Sequence, residues 1–276
     1  MDHKLCIGTG MGFDESTEEQ IRLIKKAGFD GFFTDAESAE KMKQYASIAK
    51  EEGLFYQSAH APFGDMHIMW EGNEEEAEKV IRNLFACVDA CREAGVEILI
   101  CHVIIGMERN TPNEAGVARF RRVAEYAREK SIKIAFENTE GEEYLKAVMD
   151  GCRDMDNVGF CFDSGHERCY NYSRDMLALY GDRLIATHLN DNLAMKDENV
   201  KTWLDDLHLL PFDGDADWEY ITSRLKKSTC PEYLTFELVK KNKPGRHEHD
   251  IYDGMSFSEY TSEAYKRAEK IRQMMQ

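Results

Sequence analysis

The chain has 276 residues, 42% of them hydrophobic, which is enough for the core of one large α/β domain. Its 35 basic and 52 acidic residues give a formal net charge of −17. Because such a charge repels phosphate backbones, no nucleic acid partner is expected. No apolar segment is long enough to span a membrane, and the first residues do not resemble a signal peptide. We therefore expect a cytoplasmic protein without a membrane partner.

Helical segments alternate with short apolar segments throughout the chain, which predicts parallel strands connected by helices. The eight predicted strands are residues 5–9, 31–34, 55–60, 98–103, 132–137, 158–163, 184–189 and 233–238. Eight such units without a linker predict an α/β fold, a single (β/α)8 TIM barrel over residues 1–276. A doubly wound open sheet is the alternative. However, residues 8–12 fit its glycine fingerprint only loosely, and no helix opens at Gly12.

The predicted helices have local start and stop signals. Gly28, Gly53 and Gly95 each follow a helical segment, where glycine supplies the left-handed residue that ends a helix. Residues 111–114 (Thr-Pro-Asn-Glu) predict a capping box with Pro112 at the first helical position. Residues 256–259 (Ser-Phe-Ser-Glu) predict a second box before the last helix.

The chain has eight cysteines, and no two of them form a CxxC pair. Several lie within apolar segments that are typical of core strands. In a chain of this length, the pattern indicates reduced, buried thiols rather than a disulfide framework.

Six of the predicted strands end in a side chain that can bind a metal ion. In chain order these are His60, His102, Glu137, Asp163, His188 and Glu237. In a barrel the C-terminal ends of all strands meet on one face, where catalytic groups gather. The last four come from consecutive strands. Together they would form a site of mixed oxygen and nitrogen ligands for Mn²⁺, Mg²⁺, Co²⁺, Fe²⁺ or Zn²⁺.

Each of these residues also has a simpler interpretation. A buried glutamate at a strand end is commonly a hydrogen-bonded or ion-paired structural group, and a single histidine there is commonly a core residue. The coincidence at six strand ends favours a cation, because so many buried carboxylates need positive charge to compensate them.

Several short motifs surround these residues. They are His-Ala-Pro-Phe from His60, Phe-Glu-Asn-Thr around Glu137, Phe-Asp-Ser-Gly-His around Asp163, His-Leu-Asn-Asp from His188, and His-Leu-Leu-Pro-Phe-Asp-Gly-Asp-Ala-Asp-Trp from His208. On these motifs the chain resembles the xylose isomerase-like barrels over nearly its whole length. That superfamily contains sugar and sugar-phosphate isomerases and epimerases and the family-2 apurinic endonucleases. The motifs are specific for the superfamily and weak for the substrate.

The resemblance to the ketose 3-epimerase branch implies one divalent cation with four ligands, namely Glu137, Asp163, His188 and Glu237. It also implies that the two glutamates act as acid and base, and that His166 contacts a substrate oxygen. Epimerases of that branch place an arginine a few residues after the strand-7 histidine, where this chain has Asn-Leu-Ala at residues 192–194. This departure counts against a ketose 3-epimerase.

The endonuclease branch implies two further metal ions. The ligands would be His60, His102 and Glu137 for one, and His166, Asp206 and His208 for the other. All these residue types are present, so an endonuclease IV-like zinc phosphodiesterase is an alternative. The acidic net charge and the absence of a basic, aromatic-rich loop for DNA count against it.

Five residues are candidates for substrate binding at the mouth of the predicted barrel. They are His60, His102, His166, His208 and Arg246. Arg246 lies in the polar loop 240–254 after strand 8, and loops after strands 7 and 8 often bind phosphate in barrels. A solvated loop is the simpler interpretation of this segment.

These observations predict a metal-dependent sugar or sugar-phosphate isomerase or epimerase. The cation would polarise a carbonyl group and stabilise an enediolate, while Glu137 and Glu237 remove and return a proton on opposite faces of the substrate. A polyol dehydratase would share the first steps. A non-catalytic barrel that binds a sugar is the alternative from another class. The expected partner is a small sugar, and homo-oligomerisation stays open.

Overall fold

Eight parallel strands form the centre of the computed structural model, which describes residues 3–107, 111–171, 174–197, 200 and 202–276. The strands are β1 Lys4–Gly8, β2 Gly31–Asp35, β3 Phe55–His60, β4 Ile98–Cys101, β5 Lys133–Glu137, β6 Val158–Asp163, β7 Leu184–His188 and β8 Tyr233–Phe236. They pair in the order β7-β6-β5-β4-β3-β2-β1-β8. Leu189 N donates to Thr235 O (2.8 Å) and Glu237 N donates to Leu189 O (3.2 Å), which joins the two ends of the sheet. The predicted (β/α)8 TIM barrel is confirmed.

Helices occupy the connections between the strands. They are α1 Thr17–Ala27, α2 Ala39–Glu52, α3 Ile68–Glu71, α4 Glu74–Ala94, α5 Glu114–Glu129, α6 Glu142–Gly151, α7 Ser164–Cys169, α8 Met176–Tyr180, α9 Trp218–Leu225 and α10 Phe257–Met274. Short 3₁₀ turns lie at Gly181–Arg183, Trp203–Asp205 and Asp250–Tyr252. Across the described ranges, no helix combines the length and the apolar character that a membrane crossing needs.

Most of the predicted helix ends are confirmed. Gly28, Gly53 and Gly95 follow α1, α2 and α4 with φ values of 113°, 66° and 73°. The capping box at residues 256–259 is present before α10. The box at residues 111–114 is wrong, because α5 begins two residues later than predicted. Asn113 is its N-cap, accepting from Gly116 N (2.9 Å) while its amide donates to Trp70 O (3.0 Å).

Two predicted strands end two residues earlier than expected, and β1 and β7 end one residue earlier. Strand β4 ends at Cys101 and β8 at Phe236, so His102 and Glu237 are the first residues beyond their strands. The apolar pattern after β4 continues because Val103 is buried in the core although it lies in a loop. Apolar character reports burial, and it therefore overestimates the length of a strand that runs into a buried loop.

All eight cysteines are unpaired and seven are buried, which confirms the predicted free thiols. Burial raises the pKa of Cys101 and of Cys161 well above the usual range of a thiol. Neither is therefore a thiolate at neutral pH, although both lie next to the strand ends that carry the candidate ligands.

A small apolar cluster fills the inside of the barrel below those strand ends. It consists of Ile100, Ala135, Cys161 and Ala186, all with at most 1% exposure. Each lies two residues before one of the predicted site residues on β4 to β7. Because side chains two apart in a strand point to the same side, the site residues form the next layer of the barrel interior.

One buried carboxylate organises the connection between β7 and β8. Asp191 accepts hydrogen bonds from Phe212 N (2.8 Å), Ala216 N (3.0 Å) and the indole Nε1 of Trp218 (2.9 Å). These three donors span the segment that runs from His208 to the start of α9. These hydrogen bonds hold the segment against the Asp191 side chain. They therefore help to set the position of His208 at the mouth of the barrel.

Replacement of Asp191 with Ala should lower the free energy of unfolding by roughly 3 kcal/mol, because one buried and two partly buried N–H groups lose their acceptor. Thermal unfolding followed by circular dichroism measures the change. Asp215→Ala is the matched control, since Asp215 lies in the same segment with an exposed side chain. This control should stay within about 0.5 kcal/mol of the parent protein. Equal stability of the two variants would contradict the role given to Asp191.

Candidate metal centre

The four predicted metal ligands converge at the C-terminal end of the barrel. One ligand atom from each of Glu137, Asp163, His188 and Glu237 lies within 4.8 Å of the others. His188 Nδ1 is 2.9 Å from Glu137 Oε1 and 3.2 Å from Glu237 Oε2. The first three residues are fully buried, whereas the Glu237 side chain is 26% exposed. Three carboxylates and one imidazole form a donor set that can hold a divalent cation.

Burial and close contact shift the protonation of this cluster. Burial raises the pKa of Asp163 to about 6. Burial also acts against the charge of Glu237, but His188 overcomes it and lowers the pKa of Glu237 to about 2. Burial opposes protonation of His188, yet Glu237 and Glu137 hold its pKa well above the ordinary value. The His188 imidazolium thus neutralises one carboxylate, and a cation that binds its Nδ1 must displace that proton.

Neighbouring groups fix the orientation of these side chains. Asp163 Oδ1 accepts from His166 N (2.6 Å), and its Oδ2 accepts from the amide of Asn190 (2.9 Å). The His188 ring stacks on Phe33 with 4.7 Å between ring centroids. Contacts of this kind hold metal ligands in one orientation and are typical of built metal sites.

Two more histidines contact Glu137 from the side of β3 and β4. His60 Nε2 and His102 Nε2 each lie 3.3 Å from Glu137 Oε2. The Nδ1 of His60 is 2.8 Å from Ala61 O, which leaves Nε2 to face the carboxylate. Among the described residues, His60 and Glu137 form a second possible metal group with His188 rather than with the predicted His102.

A third group of side chains that could bind a metal lies near the segment from His208 to α9. Asp206 Oδ1 is 2.9 Å from His208 Nε2 and 3.4 Å from His166 Nε2. Asp163, His166 and His208 also meet the distances of a possible metal group. His208 has a φ of 52°, a left-handed conformation that costs energy for a residue with a Cβ atom. Val239 N donates to His208 O (3.0 Å) and Leu209 N donates to Asp191 O (2.9 Å), and these bonds hold the strained residue in place.

A cavity of about 460 Å³ opens onto this end of the barrel. Five predicted residues line it, namely His60, His102, His166, His208 and Glu237. Glu237 therefore belongs both to the group of Glu137, Asp163, His188 and Glu237, which we call the carboxylate cluster, and to the cavity wall. Glu137, Asp163 and His188 are fully buried behind that wall.

Arg246 does not lie on the described cavity wall. Its guanidinium donates to Asp205 (2.6 Å), to Glu248 (2.8 Å) and to Leu204 O (2.7 Å), so the protein's own groups occupy it. Lys243 from the same loop lines the cavity instead. No sequence pattern distinguishes Arg246 from Lys243 in this respect, because both residues lie in an irregular polar segment.

Other residues of the cavity wall were not predicted from the sequence. Five of them are Asp35, Glu140, Tyr170, Trp203 and Lys243. Asp35 ends β2 in the way that Glu137 ends β5, but the predicted strand 31–34 stops one residue before it. The other four lie in connections that have no periodic pattern from which a position can be inferred.

Several solved structures have the same fold. D-psicose 3-epimerase from Clostridium cellulolyticum H10, solved with D-tagatose, has a TM-score of 0.77 at 15% identity and covers 99% of both chains. IOLI protein with a bound zinc atom has a TM-score of 0.73 at 16% identity over 97% of both chains. A xylose isomerase-like TIM barrel/4-hydroxyphenylpyruvate dioxygenase fusion protein has a TM-score of 0.76 at 16% identity. It covers all of this chain, which spans only 44% of the fusion protein.

Two curated proteins are similar in sequence. The uncharacterized protein y4fM of Sinorhizobium fredii is 28% identical over 263 aligned positions, which cover 82% of each chain. A probable endonuclease 4 of Methanoculleus marisnigri is 30% identical over 138 positions, covering 41% of this chain and 48% of that relative. The low identities to the solved structures show the fold alone.

The sequence profile of the xylose isomerase-like TIM barrel family matches residues 21–260. This match covers all eight strands except β1 and all the residues of the carboxylate cluster. The chain therefore belongs to the xylose isomerase-like TIM barrel family.

Proposed function

We propose that this protein is a metal-dependent isomerase or epimerase that acts on a sugar or sugar phosphate. The observation that carries the proposal is the position of Glu237, which belongs both to a buried carboxylate cluster and to the wall of a cavity. Proton transfer next to a carbonyl needs a base within reach of the carbon-bound hydrogen and positive charge near the carbonyl oxygen, and Glu237 lies where the cluster meets the cavity. The similarity in fold to a D-psicose 3-epimerase supports a sugar substrate as an analogy.

The proposed ligands of a single divalent cation are Glu137, Asp163, His188 and Glu237. Their three carboxylates outnumber the one imidazolium among them, so a divalent cation fits the charge of the cluster. When bound, such a cation supplies positive charge next to the substrate oxygens that gain electron density as a proton leaves the adjacent carbon. The zinc in the IOLI structure supports a metal in this fold.

The two glutamates are proposed to move the proton. Glu237 lies on the cavity wall, so it is the group that reaches a carbon-bound hydrogen directly. Glu137 is fully buried behind that wall, and its Oε1 lies 2.9 Å from the same His188 Nδ1 that Glu237 contacts at 3.2 Å. The proposal assigns it the second proton transfer, because inversion at carbon needs removal of a proton from one face and its return on the other.

The four histidines of the cavity wall are proposed to bind substrate hydroxyl groups. His60 and His102 lie on one side of the cavity, and His166 and His208 lie beside Asp206. An imidazole can donate or accept a hydrogen bond, as a sugar hydroxyl requires. Their fixed contacts with carboxylates orient the rings before a substrate arrives.

Asp163→Ala and His188→Ala should each lose most of the bound metal and its stabilising effect, because each removes a ligand from the cluster. Metal analysis of protein loaded with Mn²⁺ or Zn²⁺ should find about one tight ion per parent chain. Glu140→Gln is the matched control, since Glu140 is a buried carboxylate of the same cavity outside the four ligands. It should keep the ion. Full metal content in both ligand variants would exclude the proposed set.

Turnover of the correct sugar in D₂O should place deuterium at the isomerised or inverted carbon, because a carboxylate base exchanges part of its proton with solvent. Glu137→Gln and Glu237→Gln should each lose on the order of 10²–10⁴-fold in rate, since the amide no longer accepts a proton. Mass spectrometry of products from a sugar panel measures both effects. A hydride shift would leave deuterium out of the product. Full activity in both variants, or no turnover of any sugar, would reject the mechanism.

An endonuclease-like zinc phosphodiesterase is the second candidate. The group formed by Asp163, His166 and His208 and the group around His60 favour it, as does the partial similarity to a probable endonuclease 4. The net charge of −17 opposes it, because a duplex must approach the barrel mouth with its phosphates.

Abasic duplex DNA should therefore remain intact and bind negligibly at physiological salt, even with zinc-loaded protein. Gel-based incision assays with the parent protein and His60→Ala measure this. The Lys243→Ala variant, which removes a cavity cation, should behave in the same way. Incision at an ordinary enzymatic rate that is lost in His60→Ala would replace the sugar assignment with the endonuclease.

A further inference from the structure

The outer part of the cavity carries two exposed aromatic side chains. Phe63 and Trp203 line the cavity and are 42% and 52% exposed, although large apolar side chains are usually buried. Ile105, Met107 and Tyr170 extend the same wall. Exposed apolar surface that is gathered at a cavity mouth marks a place where a ligand covers it.

The two aromatic side chains come from opposite sides of the barrel. Phe63 follows β3 and Trp203 follows β7, and these strands are four positions apart in a ring of eight. Phe63 is fixed by stacking on His102, with 4.6 Å between ring centroids. Lys243 Nζ lies 5.3 Å from the centroid of the Trp203 ring. The mouth therefore presents aromatic surface to a ligand from two sides.

The charged groups around this mouth do not suit a phosphate. The described residues of the cavity wall include four carboxylates and one permanent cation, Lys243. Its Nζ is already 3.7 Å from Asp206 Oδ2. Arg246 of the same loop is bound to Asp205 and Glu248. A phosphate monoester carries about two negative charges, and the groups of the wall that could bind it, His166, His208 and Lys243, already contact Asp206.

We propose that the substrate is an uncharged sugar that carries an aromatic group in glycosidic linkage, with that group seated between Phe63 and Trp203. The volume of about 460 Å³ is in the range of sites for organic ligands larger than one sugar ring. The inference rests on the proposed function for the position of the sugar at the carboxylate cluster. A glycosidic bond removes the carbonyl of the anomeric carbon, so the proposed proton transfer needs a carbonyl at another ring carbon. An oxidation of a ring hydroxyl must therefore supply this substrate.

The test compares dissociation constants for metal-loaded protein by ligand-observed NMR. The probes are the phenyl and methyl β-glycosides of glucose, galactose, mannose and xylose, the free sugars, the hexose 6-phosphates, and the disaccharides cellobiose and lactose. At least one phenyl glycoside should bind about tenfold more tightly than its methyl counterpart, as stacking on two aromatic rings implies. Trp203→Ala and Phe63→Ala should remove that difference with unchanged metal content, and Trp203→Phe should keep part of it.

Tyr220→Ala is the matched control, because Tyr220 is also an aromatic residue with 52% exposure but lies on α9 away from the cavity. It should leave the phenyl preference intact. Equal binding of phenyl and methyl glycosides, tighter binding of the 6-phosphates or disaccharides, or no binding of any phenyl glycoside would overturn the inference.

The failure of this inference is distinct from that of the proposed function. Deuterium exchange into a free sugar or sugar phosphate, with no effect of Trp203→Ala, would support the proposed function and overturn the inference. Binding of a phenyl glycoside that depends on Trp203, without exchange in any carbonyl derivative of it, would support the inference and reject the isomerase.

Discussion

The structure depends on how it compensates three carboxylates, two of them fully buried, that are gathered at the C-terminal end of the barrel. Glu137, Asp163 and Glu237 have ligand atoms within 4.8 Å of one another. Two like charges at that distance repel by about 3.5 kcal/mol at an effective dielectric constant of 20, so the three pairs together cost on the order of 10 kcal/mol. This is comparable to the whole stability of a domain. The fold therefore requires positive charge at this point, and His188 supplies only one unit of it.

The segment from His188 to Asp191 shows how the chain meets this requirement. His188 contacts two of the carboxylates, and the backbone of Leu189 joins β7 to β8. Asn190 donates to Asp163, and Asp191 holds the segment that carries His208. Four consecutive residues thus supply a cationic partner, close the barrel, orient Asp163 and position the segment that carries His208. The carboxylate cluster and part of the cavity wall therefore depend on the same short stretch of chain.

Much of the fold and the centre of the site could be predicted from the sequence. The strands are short apolar segments, and Glu137, Asp163 and His188 end them, so local patterns place all three at one end of a barrel. Val103 shows the limit of the pattern, because it is buried after its strand has ended. Asn113 shows a second limit of the pattern. It caps α5 in place of Thr111, and its side chain also donates to Trp70 O, a partner that is distant in the sequence.

The outer part of the site could not be predicted because it depends on contacts between irregular loops. Trp203 and Lys243 belong to different connections and meet only in the folded chain. The sequence predicts that Arg246 contacts the substrate. In the structure its guanidinium donates to Asp205, which lies more than forty residues earlier in the sequence. No local sequence pattern indicates that Asp205 will pair with Arg246 while Lys243 lines the cavity. Sequence patterns of this kind therefore identify the candidate ligands at the strand ends better than the loop residues that line the cavity and determine which substrate it accepts.

The central claim is that the cluster of Glu137, Asp163, His188 and Glu237 binds a divalent cation. Anomalous diffraction from crystals grown with Mn²⁺, measured on both sides of the manganese absorption edge, tests it most directly. The account predicts one strong peak within roughly 2.0–2.6 Å of a ligand atom from each of the four residues. A peak at another group of residues, or no peak in this cluster at saturating Mn²⁺, would contradict it.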